Sequence, residues 1–262
     1  PIGSTSSTAL PAFPRRSNPM ATLVFDIETV GERWEDLDAT TQATLTRWVD
    51  RTVTDEAERR ARYRDIAEGL GFSPLTGSIV AIGVYDVERE QGAVYYQGRG
   101  DETDATEQPL VFKQRSEREM LADFWAGATA YDTFVSFNGR CFDVPFLLHR
   151  SVACSVRPSV NLMNRRYLSQ QRPPYHVDLQ DELTYYGAMA RRPSLHLFCR
   201  AYGIASPKGG GVAGDDVAAL FSAQRYWEIA EYNAADVRAT AALYERWLEY
   251  LAPPEFLNAV VL

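Results

Sequence analysis

The sequence predicts an α/β fold, a mixed central β-sheet flanked by helices, with a helical insertion after the first strand. Three observations predict it. A strand and a hairpin are followed by helices alternating with short strands, the order that builds an α/β layer. The chain has 262 residues, 45% of them apolar, enough for one substantial core. Between the first strand and the hairpin, residues 31–75 are densely charged and helical, too short and too polar to hold a core of their own.

The elements follow in order. Residues 1–20, rich in Ser and Pro, read as a flexible leader, and residues 21–262 as a single domain. ATLVFDI (21–27) is short, apolar and β-branched, and is the first strand. In the insertion, TTQATLTRWVD and DEAERRARYRDIAEGL carry helical patterns, stopped by Gly69 and Gly71. GSIVAIGVYDV (77–87) and GAVYYQG (92–98) flank a short polar turn and read as a β-hairpin. SEREMLADFWAGA opens with Ser116 and Glu119, a capping-box pair, and continues with helical apolar spacing. DTFVSFN (132–138) is the next strand, and FDVPFLLHRSVA (142–153) a helix that tolerates Pro145 in its first turn. YHVDL (175–179) is a strand whose Asp178 caps a helix over DLQDELTYYGA. SLHLFCRAYG (194–203) is a short helix, SPKGGGVAGDD (206–216) a glycine-rich loop, and residues from about 216 to 250 form a long terminal helical region.

Composition excludes several classes. No apolar run reaches the length of a membrane span, so no membrane partner is expected. The first twenty residues lack the apolar segment of a signal peptide. Cys141, Cys154 and Cys199 form neither an even set nor a CxxC spacing, which argues against a disulfide framework or zinc site and for a reducing, cytoplasmic setting. The net charge of −8 runs against nucleic-acid binding, but distribution outweighs the total. Only Lys113 and Lys208 are lysines among 27 basic residues. The rest are arginines, which suit bidentate phosphate contacts.

Three separated segments carry carboxylates in suggestive places. In FDIET, Asp26 and Glu28 are two apart on a strand and point to one face. Two like charges on an apolar strand call for a cation, and hard oxygen ligands suit Mg²⁺ or Mn²⁺. In SFNGRCFDVPFLL, Asp143 sits in the first turn of a helix just beyond a strand. In EIAEYNAADVRATAALYERW, Tyr232 and Asp236 are four apart and share a helix face with core residues. Each segment also has an ordinary structural reading: a solvated strand end, a helix-dipole aspartate, or an aspartate paired with Arg238 or Arg165.

Taken together, FDIET, NGxxFDxP and YNxxDV resemble, in order and setting, the three motifs of the DEDD exonuclease superfamily. The tyrosine four before the last aspartate resembles the DEDDy branch. The histidine of the DEDDh branch would stand five before it, where this chain has Glu231. The resemblance extends to the 3′→5′ exonuclease domain of family B DNA polymerases and to stand-alone predicted exonucleases related to it, over roughly residues 21–250. It implies a ribonuclease H-like fold. It also implies a metal-dependent 3′→5′ exonuclease that uses two Mg²⁺ or Mn²⁺ ions and releases nucleoside 5′-monophosphates. Asp26 would bridge the ions, Glu28 and Asp236 would hold the ion that activates water, Asp143 would support the other, and Tyr232 would orient the water. The implied substrate is the 3′ end of single-stranded nucleic acid, DNA ahead of RNA, and the enzyme would act alone or in trans for a polymerase or repair partner. The competing reading is a nucleic-acid-binding or interaction module of the same fold with weak catalysis.

Secondary candidates for substrate contact are Asn138, at the terminal nucleotide or as a turn former, and Phe142, against the terminal base or in the core. Lys208, in the glycine-rich loop, is a candidate for the scissile phosphate or a solvated loop lysine. Residues 156–176 concentrate Arg157, Arg165, Arg166 and Arg172 among Tyr167 and Tyr175, a mixture suited to a single strand or to a solvated basic surface. His149, His176 and His196 show no ligand spacing.

Overall fold

The computed structural model describes residues 21–100, 105–107, 109–206 and 214–260. The leader at 1–20 and Lys208 lie outside them. β1 (Thr22–Gly31) is followed by α1 (Ala39–Thr52) and α2 (Glu56–Glu68), the helical insertion expected from its charge pattern. Asp38 and Asp55 cap these two helices by accepting backbone N–H groups. β2 (Gly77–Asp86) and β3 (Gln91–Tyr96) form the expected antiparallel hairpin. Two strands not anticipated, β4 (Ala105–Glu107) and β5 (Leu110–Gln114), extend the sheet beyond β3. They are short, and only Leu110 and Phe112 carry an inward apolar signal.

α3 (Glu117–Ala128) opens with the full capping box of Ser116 and Glu119. β6 (Thr133–Ser136), α4 (Asp143–Ala153) and β7 (Tyr175–Asp178) follow. α5 (Leu179–Leu183) is capped by Asp178 as expected, but it ends after five residues instead of running on through Tyr186. The reason is local: Tyr185 and Tyr186 both adopt left-handed φ, 51° and 55°. α6 (Leu195–Tyr202) ends at Gly203. The terminal helical region divides into α7 (Val217–Ser222), α8 (Tyr226–Tyr250) and α9 (Pro254–Val260), with left-handed Gln224 interrupting the first two.

The described strands form one seven-stranded mixed sheet in the order β4-β5-β3-β2-β1-β6-β7. β1 lies inside it, between β2, to which it is antiparallel, and β6, to which it is parallel. Strand alternation assigns the two faces. Leu23, Phe25 and Ile27 pack with Phe124 and Trp125 of α3 and Phe146 of α4. Val24 and Val30 look the other way, packing with α8 and α7 through Val237, Ile229 and Val217. Asp26 and Glu28 share the parity of Val24, so the fold delivers both carboxylates beneath α8. α4 is tied to α3 by Arg150, whose Nε and Nη2 donate to the Glu117 carboxylate, each at 2.8 Å.

Candidate metal centre

Pairing along β1 explains where the site opens. β1 and β6 are paired from Thr22 to Val24 only. Beyond that point this side of β1 is an unpaired edge, whose backbone needs other partners. Asp143 supplies one: its Oδ1 accepts the Ile27 N–H at 3.1 Å. Asp143 is 3% exposed and stands at the start of α4. On the opposite side of β1, a bulge between Glu28 and Thr29 shifts the register with β2, directly after the last of the strand's acidic residues.

α8 brings the third motif down onto this strand. Gly83 of β2 pairs with Asp26, and a Cβ there would come within 2.4 Å of Asn233 Oδ1 and 2.6 Å of Val237 Cγ2. Only glycine admits the helix so close to the sheet. At that approach, one carboxylate oxygen each from Asp26, Glu28 and Asp236 lie within 4.8 Å of one another. Asn233, fully buried, donates from Nδ2 to Asp26 Oδ2 at 2.8 Å. Its Oδ1 has no hydrogen-bond partner among the described residues. That orientation is fixed electrostatically, since a flipped amide would set its oxygen against the carboxylate.

The site is strongly acidic. Burial, followed by the charges of Asp143, Asp236 and Glu28, pushes the Asp26 carboxyl well above the usual range. Glu28 is raised by burial and then by Asp236. The Asn233 amide counteracts both shifts. Asp143 is pushed up to about 7, chiefly by burial, against the lowering effect of the backbone N–H groups it accepts. Tyr232, partly buried, has its hydroxyl raised by burial and by Asp236, with which it also shares a hydrogen bond. Mutually repelling carboxylates with only partial exposure of Asp26 and Asp236 fit a hard divalent cation, which would neutralise the charge that burial penalises.

The loop before α4 is held by a residue sequence reasoning used only as a cap. Asp178, 3% exposed, accepts the Asn138 N–H on Oδ1 and the Arg140 N–H on Oδ2, both at 2.9 Å, in addition to capping α5. Asn138 takes a left-handed φ of 64°, and its Oδ1 is buried without a partner among the described residues. Gly139 is required because a Cβ would fall 2.2 Å from Ser136 Oγ. Phe142 is half-buried, its ring 5.0 Å from Phe146. Arg165 is exposed, whereas Arg166 makes a bidentate pair with Asp181. Arg172 donates to the Gln171 carbonyl and Tyr175 is in the core. His176 is buried between Ser136 Oγ and the Leu162 carbonyl, and His196 meets Ser206 Oγ.

Sequence reasoning missed Asn233. Its signal was available, a polar residue three positions before Asp236 on the inward face of an apolar helix.

A mixed sheet with β1 held between antiparallel β2 and parallel β6, helices on both faces and an acidic cluster under α8 define the ribonuclease H-like fold. A family described as "Predicted 3'-5' exonuclease related to the exonuclease domain of PolB" matches residues 79–252, and the chain belongs to that family. Asp143, Tyr232 and Asp236 fall inside the matched span. Asp26 and Glu28 lie before it, on the far side of the helical insertion. Among solved structures, the family B DNA polymerase from the hyperthermophilic archaeon Pyrobaculum calidifontis is similar, with a TM-score of 0.52 and 19% identity over 88% of this chain. That likeness concerns the fold, and the chain spans 25% of the polymerase's length. No curated protein matches the chain.

Proposed function

We propose that the protein is a metal-dependent 3′→5′ exonuclease that releases nucleoside 5′-monophosphates from single-stranded nucleic acid, DNA ahead of RNA. The observation that carries this is the convergence of Asp26, Glu28 and Asp236 from two distant segments to within 4.8 Å, in a chain of this family. Asp26, Glu28 and Asp236 would hold one divalent cation, and Asp26 with Asp143 a second. Two ions held there would supply the activation of water and the stabilisation of the departing 3′-oxygen in an in-line displacement.

The chain's own residues do the rest. The Ile27 N–H keeps Asp143 turned toward β1. Asn233 holds the Asp26 carboxylate in one rotamer. Tyr232, raised far above neutrality, stays protonated and positions the attacking water through its hydroxyl, with Asp236 one turn away on the same helix face.

Single-stranded DNA and RNA, each labelled at the 3′ or the 5′ end, test this with Mg²⁺ or Mn²⁺. A 3′ label is expected to leave first, as a mononucleotide, and EDTA to stop release. Asp26→Ala and Asp236→Ala are expected to abolish release with far-ultraviolet circular dichroism unchanged. Full activity in Asp26→Ala or in excess EDTA contradicts the mechanism, and first release of a 5′ label contradicts the polarity.

A further inference from the structure

We infer that a surface beside the loop that delivers Asp143, where Arg166 and Arg192 share Asp181 and Tyr167 lies against Tyr186, with exposed Arg165 and Tyr185 next to them in the chain, is the path along which single-stranded nucleic acid lies as its end enters the site. This rests on the exonuclease reading above and adds to it the location and chemistry of strand binding.

The surface is built on one buried carboxylate. Asp181 of α5 is 2% exposed and receives Arg166 through Nε and Nη2, at 2.9 and 2.7 Å. Arg192, from a loop beyond α5, reaches the same carboxylate through Nη2 at 3.3 Å. Both arginine side chains remain about half exposed, 50% and 48%. Each is therefore held on one side by Asp181 and open to solvent on the other. An arginine fixed in this way presents its remaining N–H groups with little entropy left to lose, which suits a phosphate.

The cluster is continuous with the loop that delivers Asp143. Arg140 lies three residues before Asp143 and donates from Nη2 to the Asn164 carbonyl at 2.7 Å. Its Nη1 is buried with no partner among the described residues. Arg140 feels the charges of Asp178, Asp181 and Arg166 together, which places all four in one neighbourhood. Four arginines, Arg140, Arg165, Arg166 and Arg192, stand here against three carboxylates, Asp178, Asp181 and Glu182. Asp178 spends its oxygens on backbone N–H groups, and Glu182 is bound by the Tyr186 hydroxyl. In a chain of net charge −8, this local arginine excess stands out.

The aromatic residues are independent of the charges. Tyr185 and Tyr186 both hold left-handed φ, a conformation that suits glycine or asparagine and strains a bulky side chain. The strained turn leaves the Tyr185 ring 62% exposed and sets Tyr186 4.7 Å from Tyr167, itself 48% exposed. Exposed rings among anchored arginines match the two features of an unpaired strand, accessible base faces and a phosphate backbone. A duplex offers only the second.

The test uses Arg165→Gln with Arg192→Gln, and separately Tyr185→Gly, which removes the ring while relieving the backbone. Affinity for fluorescent single-stranded DNA and RNA oligonucleotides is read in EDTA across a salt series. Hydrolysis is read in Mn²⁺ for the same oligonucleotides and for thymidine 5′-monophosphate p-nitrophenyl ester, which carries a single nucleotide and no strand. Dissociation constants are expected to rise on the order of tenfold in each variant. The salt slope of the double variant is expected to fall by about 1.4, the loss of two single-strand phosphate contacts. The ratio of oligonucleotide to ester kcat/KM is expected to drop with it. Unchanged affinity, slope and ratio in both variants overturn the surface, as does equal binding of blunt duplex by the parent. A parent that cleaves neither substrate overturns the exonuclease reading instead, and the affinities then decide the surface alone.

Discussion

At the scale of single residues, Asn233 controls the geometry of the carboxylates without being one of them. Its amide is fully buried, donates to Asp26 and offsets the burial penalty on both Asp26 and Glu28. Groups that orient a metal ligand in this way are worth roughly 10- to 100-fold in metal affinity. Asn233→Ala is therefore expected to weaken Mn²⁺ binding by about that factor in calorimetry, and unchanged affinity counts against the role. Tyr232→Phe is expected to behave differently. It removes a hydroxyl and no carboxylate, so Mn²⁺ affinity should hold while kcat falls on the order of 10- to 100-fold through lost positioning. The shared face of Asp26 and Glu28 was legible from their spacing, because strand parity is a local property. The inward placement of Asn233 on its helix was legible too, but its partner was not, since Asp26 lies 207 positions away in sequence.

At the scale of elements, the approach of α8 to the sheet is the sensitive dimension. Gly83 admits Asn233 and Val237 to positions a methyl group would occupy. Gly83→Ala should cost roughly 1–3 kcal/mol by overpacking. It should also lift Asp236 away from Asp26, so Mn²⁺ affinity falls together with Tm. A normal Mn²⁺ affinity in a folded Gly83→Ala protein would show that α8 tolerates displacement. The elements around this contact were read with uneven success. The capping box of α3 and the Asp178 cap of α5 were visible because caps are contiguous in sequence. The early end of α5 and the break before α8 were not. Tyr185, Tyr186 and Gln224 carry no intrinsic preference for left-handed backbone, so their residue types do not announce it.

At the scale of the molecule, the acidic centre opposes folding when no cation is bound. Asp143, with an ordinary value of 3.8, is raised to about 7, and Asp26 and Glu28 are raised as well. Groups that hold protons more tightly when folded stabilise the protein below their unfolded values, and that stability is lost as pH rises through the folded value. His176 works the other way: depressed from 6.5 to about 3 by burial, it withdraws stability as pH falls below 6.5. Between pH 6.5 and 8 the carboxylates dominate. The Tm of EDTA-treated protein should therefore rise from pH 8 to 6.5. The increment from saturating Mn²⁺ should be larger at pH 8, where the ionised ligands repel most. Equal increments at the two pH values would argue that the cluster is not where the ion binds.

The sequence by itself determined the α/β class, the face shared by Asp26 and Glu28, the helix start at Asp143 and the one-turn spacing of Tyr232 and Asp236. These follow from periodicity, capping and order along the chain, which are local. Only the tertiary structure decided that α8 descends at Gly83, that Ile27 holds Asp143 at an unpaired strand edge, and that Asn233 reaches Asp26. It also decided that Arg166 and Arg192 share Asp181. Each of these is a contact between segments far apart in sequence, fixed by how closely a helix can pack on a sheet and by where a buried charge or backbone amide finds a partner.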